Sequence, residues 1–83
     1  MDKDSIIAAI DRKVTEYFVW TIGVTADPDK RRQQHANNKN VSNWKAWPAD
    51  SEEIARAVEK HFLDLGMKGD TGGGKNPTNV YIF

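Results

Sequence analysis

The stretch from Tyr17 to Thr25, YFVWTIGVT, is almost wholly aromatic or β-branched and carries no charge. Side chains of this kind fit a pleated surface, and a run of them without polar alternation reads as a strand buried on both faces. Such a strand belongs in the middle of a sheet, so the rest of the chain must supply neighbouring strands and covering helices. With 83 residues there is room for one domain only. A chain this short buries only about 60 to 65% of its unfolded surface. The sequence has no cysteine, so packing must hold that core without disulfides or thiolate metal sites.

The covering helices are legible from spacing. Before the strand, Ile6, Ile7, Ile10 and Val14 recur at helical intervals, with Asp4 or Ser5 placed to cap and Lys3, Asp11 and Arg12 on the other side. This predicts a helix over about residues 4–16, ahead of a core over about 17–83. After the strand, Asp27-Pro28 reads as an N-cap followed by proline at the first helical position. The helix from Pro28 to about Asn38 has almost no apolar face: Arg31, Arg32, Gln33, Gln34, His35, Asn37 and Asn38 offer a core little beyond their stems and Ala36. Trp44 to Trp47 predicts a short strand closed by Pro48, with the two tryptophans on opposite faces. Asp50 and Glu53 resemble a capping box for a third helix, whose stripe is Ile54, Val58, Phe62 and Leu65 and whose C-cap is Gly66. Val80, Ile82 and Phe83, with Tyr81 between them, make a terminal strand. The expected fold is α+β, with a three-stranded sheet packed by helices in the order α-β-α-β-α-β.

Between the third helix and the last strand lies GDTGGGKNP, residues 69–77, which satisfies most of the phosphate-loop pattern G-x-x-x-x-G-K followed by Ser or Thr. A phosphate loop works when a strand delivers it to a helix N-terminus, where free N–H groups hold the anion. Here the order is reversed, and Asn76 replaces the hydroxyl residue that would meet magnesium. Nucleotide binding by this loop is therefore excluded. Its length exceeds the roughly 2 to 6 residues such connections need. The expectation is a rim for a neighbouring cleft, with Lys75 and Asn76 facing it.

Charge is balanced overall, with twelve basic and twelve acidic side chains, so any electrostatic recognition has to be local. Lys30, Arg31, Arg32 and Lys39 form the one dense basic cluster. Arg31 and His35 are four apart and share a helix face. A guanidinium fork suits a phosphodiester oxygen. No apolar run approaches the roughly 20 residues of a membrane span, and Met1-Asp2-Lys3-Asp4 does not open a signal peptide. With the missing cysteines, this fits a cytoplasmic protein. The formal sequon Asn40-Val41-Ser42 reads as chance.

Thr21-Ile22-Gly23, followed by Arg31 eight residues after the glycine and His35 one turn later, resembles the GIY-YIG nuclease superfamily. The resemblance spans about Phe18 to Phe83. It implies that Arg31 clamps a phosphoryl oxygen, that His35 assists as acid or base, and that Glu59 on the next helix holds one Mg²⁺. It places Asn76 or Asn79 at the family's late asparagine. Lys30, Arg32, Lys75 and Asn76 would contact substrate. The chain departs from the family at two motifs: Thr21 stands where the second motif has tyrosine, and no G-I-Y precedes it. Tyr17 is the one phenol upstream to take that catalytic place. The resemblance implies a nucleic-acid-related domain meeting DNA or RNA, a degenerate Mg²⁺-dependent endonuclease or phosphodiesterase whose activity is left open. The other expectation is a non-catalytic binding module on the same scaffold that meets a protein partner.

The remaining residues read as structural. Trp20, Trp44 and Trp47 are expected mainly in the core, with base stacking as their other use. His61 sits on the last helix near Phe62 and reads as a residue at the edge of the core rather than a ligand. Two histidines without cysteine do not make a zinc site, and no serine sits in a nucleophile elbow.

Overall fold

A computed structural model describes residues 1–70 and 75–83. Its elements are α1 (Lys3–Lys13), a 3₁₀ turn (Tyr17–Val19), β1 (Thr21–Thr25), α2 (Pro28–Ala36), β2 (Lys45–Pro48), α3 (Glu52–Asp64), β3 (Lys68–Gly69) and β4 (Asn79–Ile82). The fold is α+β, and the sheet has four strands in the order β2-β4-β1-β3. β4 runs antiparallel to both β1 and β2, whereas β3 runs parallel to β1.

The expected sheet of three strands is thus one short. β3 has two residues and no apolar pattern, and it exists because backbone groups are satisfied there. The Lys68 amide donates to Trp20 O at 2.9 Å and the Asp70 amide to Ile22 O at 3.0 Å. The strand expected from Tyr17 also begins later. Tyr17 to Val19 wind into a turn closed by Trp20 N donating to Tyr17 O at 3.0 Å, and Phe18 and Val19 are exposed. Only Thr21 to Thr25 behave as a central strand.

β1 is paired on both edges, and its side chains divide between two faces. Ile22 and Val24 join Ile6, Ile10 and Val14 of the α1 segment, Ala55, Val58 and Phe62 of α3, and Val80 and Ile82 of β4 in one buried core. The opposite face presents Thr21, Gly23 and Thr25, with Tyr81 opposite Gly23 in register. No residue of α2 enters the core or is buried.

Two caps differ from those read in the sequence. Asp2 caps α1, accepting from the Ser5 amide at 2.8 Å, and Ser51 caps α3, accepting from the Ile54 amide at 3.1 Å. Asp50 is committed elsewhere: its carboxylate meets the Met1 ammonium at 2.9 Å and its amide donates to Met1 O. The C-terminus of α3 does follow the glycine. The Gly66 amide donates to Leu63 O and the Met67 amide to Phe62 O, with Gly66 at φ +112°. This paired closure turns the chain by a left-handed residue and buries Met67 beside Phe62. Leu65 is left exposed, so Met67 completes the stripe that Leu65 was expected to end.

Candidate oxyanion site

α2 is held by polar groups. Asp27 caps it by accepting from the Lys30 amide at 3.1 Å, and Thr25 Oγ1 accepts from the Asp27 amide at 3.1 Å, fixing the turn from β1. This turn sends the Arg31 and His35 face toward the side of the sheet that carries Tyr81.

There, side chains from three parts of the chain meet. Arg31 Nη2 donates to Asp70 Oδ2 at 3.0 Å, and Arg31 Nε donates to Tyr81 Oη at 3.3 Å. His35 Nε2 lies 2.7 Å from the same Asp70 oxygen. A carboxylate can only accept, so the tautomer with the proton on Nε2 satisfies this contact. The Tyr81 hydroxyl also donates to Asp70 Oδ2. One oxygen therefore receives a guanidinium, an imidazole and a phenol. Arg31 Nη1 donates to Gln34 Oε1 at 3.2 Å along the helix. The Arg31, His35 and Asp70 side chains are only 22%, 12% and 15% exposed, so these contacts are partly shielded from water.

The titration behaviour follows this geometry. Burial would raise the Asp70 carboxyl, but hydrogen bonds from Tyr81, His35 and Arg31 outweigh it and hold the group below its ordinary range. The Tyr81 phenol is pushed up, first by burial and then by its bond to Asp70. Arg31 is raised further, chiefly by its hydrogen bond to Tyr81, and stays cationic. Glu59 is raised by burial, with Arg56 opposing and Asp70 adding to the rise.

An aromatic wall adjoins the cluster. Trp44 stacks on Tyr81 with centroids 4.5 Å apart and planes 12° apart, and on Phe83 at 5.5 Å. His35 packs on Phe83 at 4.7 Å, and Lys39 Nζ lies 5.5 Å from the Phe83 centroid.

The sequence-predicted site residues are distributed unevenly about this centre. Arg31 and His35 converge as their spacing indicated. Glu59 is half-buried on α3 and electrically linked to Asp70. Tyr17 is elsewhere: its hydroxyl donates to Asp11 at 2.9 Å and its ring packs on Phe62 at the helical layer. Tyr81 is the phenol at Arg31. Lys30, Arg32, Lys75 and Asn76 are exposed, and Asn76 takes φ +51°. The 71–74 portion of the expected rim lies outside the described residues. Asn79 is half-buried in β4, opposite Thr25 and Pro48. Trp20 and Trp47 pack against the core as expected, and Trp44 instead stacks on the site face. His61 sits edge-on to Phe62 at 4.8 Å.

Asp70 and Tyr81 were not singled out by the sequence reading, although each left a signal. Tyr81 is the polar-tipped residue at the centre of Val80-Tyr81-Ile82, which alternation sends to the opposite face. Asp70 is the one acid within the glycine-rich segment. Gly23 inside a strand pointed to a close approach. Among the described residues, no group of three or more His, Asp or Glu side chains is arranged to hold a metal, and no helix is long and apolar enough to cross a membrane. Comparison of the chain with family models, curated proteins and solved structures finds no match.

Proposed function

We propose that this chain is a GIY-YIG-like domain that binds nucleic acid by its phosphodiester groups, through the face formed by α2 and the C-terminal strand. The observation that supports this reading is the convergence of Arg31, His35 and Tyr81 donors on a single oxyanion. Such donors recognise a phosphate oxygen as readily as a carboxylate. Lys30 and Arg32 on the same helix, with Lys39 just beyond it, add charge for neighbouring phosphates. The Trp44 and Phe83 rings supply stacking surface for a base.

Hydrolysis is not part of the proposed function. The cation implied by the family would rest on Glu59, a single half-buried carboxylate whose ionised form burial disfavours. The neighbouring Asp70 oxygen already accepts three hydrogen bonds. These donors fit Mg²⁺ poorly. The second reading, a protein-interaction module, draws on exposed Phe18 and Val19 in the turn before β1.

The test is fluorescence anisotropy with labelled single- and double-stranded oligonucleotides across a salt series. Binding is expected to weaken with salt at a slope of roughly −0.7 to −0.9 per neutralised phosphate. The exposed double variant Lys30→Ala, Arg32→Ala should reduce both affinity and slope while leaving the thermal midpoint in place. Salt-independent binding, or none, rejects this reading; loss of protein partners on Phe18→Ser with no oligonucleotide binding favours the second.

A further inference from the structure

The donors described above already have an acceptor. Asp70 reaches them from the residue just past β3, where its own amide is tied to Ile22 O at 3.0 Å. Its backbone is therefore anchored in the sheet, and only its side chain enters the cluster. A carboxylate held in this way presents one oxygen to a guanidinium, an imidazole and a phenol at once, which is what a non-bridging phosphate oxygen would present.

We propose that Asp70 is an internal counter-anion occupying the oxyanion site of Arg31, His35 and Tyr81, so that a phosphate group binds there only by displacing its side chain. The inference rests on the oxyanion reading of the site and adds a competitor that lies within the chain. Three consequences follow from the geometry. The two anions exclude each other, since both would use the same donors on Arg31 and His35. Displacement needs rotation of one side chain, because the β3 hydrogen bonds hold the main chain in place. Finally, the apparent affinity for phosphate is reduced by the fraction of molecules in which Asp70 is out, so a ten-to-one preference for the occupied state weakens binding about tenfold.

The competing explanation is that Asp70 only fastens α2 to the sheet. Both explanations predict that Asp70→Asn is less stable. Only occupancy predicts that it gains a ligand, because the amide removes the competing charge and keeps the side-chain shape.

Inorganic phosphate is the probe, titrated into wild type and Asp70→Asn at constant ionic strength, following the His35 ring nitrogens and the Arg31 Nε–H by NMR. The expected result is saturable shifts at both residues in Asp70→Asn, with a dissociation constant about tenfold or more below that of wild type. Equal affinities, or no response at His35 and Arg31 in a folded Asp70→Asn protein, overturn the proposal. Should Asp70→Asn not fold, the Asp70 side-chain carboxyl is followed in wild type. Its ¹³C signal must move together with the His35 signals as phosphate is added, and movement of either without the other, or of neither, overturns the proposal. Phosphate binding by Asp70→Asn without any oligonucleotide binding keeps the counter-anion and rejects the nucleic-acid reading. Oligonucleotide binding that is the same in both proteins does the reverse.

Discussion

Gly23 and Tyr81 face each other across the two central strands, and the tyrosine ring lies where a side chain on residue 23 would be. A Cβ built on Gly23 would stand 2.5 Å from Tyr81 Cζ and closer still to the hydroxyl. The absent side chain lets a wholly buried phenol lie flat on the sheet and deliver its oxygen to Arg31 and Asp70.

Gly23→Ala should therefore destabilise the protein by about 1 to 3 kcal/mol, the usual range for overpacking. The obstacle is a ring locked between two paired strands and Trp44, which leaves little room to yield. Urea unfolding measures the loss. Gly23→Ala combined with Tyr81→Phe should lose less than the two single changes summed, because the hydroxyl is the nearest clashing atom. Strict additivity would mean that the two residues do not compete for the same space.

Tyr81→Phe alone keeps the stack on Trp44 and removes one hydroxyl. It removes the hydroxyl's two hydrogen bonds, to Arg31 Nε and to the Asp70 oxygen, while Asp70 keeps those from Arg31 and His35. The loss is that of hydrogen bonds to charged groups, about 1 to 3 kcal/mol. In the intact protein the raised Tyr81 phenol favours the neutral form, so its contribution is present below the ordinary value of 10.0 and fades as pH rises above it. Thermal unfolding between pH 8 and 11 should fall more steeply for wild type than for Tyr81→Phe.

Asp70 and Glu59 are two carboxylates with opposite pH signatures. The lowered Asp70 group contributes stability above its ordinary value of 3.8, and that contribution is lost as pH falls through the folded value. Asp70→Asn should flatten the acid limb of the stability profile below pH 3.8.

Glu59 is raised, so its effect has the other sign: the neutral acid is favoured on folding below its ordinary value of 4.5, and the advantage disappears as pH rises through the folded value. Glu59→Gln should therefore match wild type below pH 4.5 and be the more stable protein near neutrality. Denaturation midpoints at pH 4 and pH 7 check this, and a Gln variant less stable at both would show that the Glu59 carboxylate is needed ionised.

Ser51→Ala should cost about 0.5 to 2 kcal/mol, the usual effect of losing an N-cap. Asp50→Ala removes only a surface ion pair with the Met1 ammonium, worth about 0 to 1 kcal/mol. Comparing the two by thermal unfolding distinguishes the cap from the residue beside it.

Local chemistry was legible wherever a short pattern carries its own physics. The N-cap at Asp27 with Pro28, the spacing of Arg31 and His35, the Gly66 reversal and the central placement of β1 can each be read from a few adjacent residues. The caps at Asp2 and Ser51 were missed because several neighbouring residues had the right chemistry, and only the local backbone decides which of them faces the free amides.

The apolar spacing and the polar face of α2 were determined by the sequence alone, and with them the α+β class and the pairing of Arg31 with His35 on one side of a helix. Tertiary structure decided what that side meets. β3 has no pattern to read, and it is this two-residue strand that brings Asp70 to a helix 39 positions away in the chain. The same holds for Tyr81, which reaches Arg31 only because β4 returns between β2 and β1 and Gly23 leaves space for its ring. Periodicity reports which face a residue is on, whereas a site assembled from separate segments depends on strand register, which backbone hydrogen bonds and packing set together.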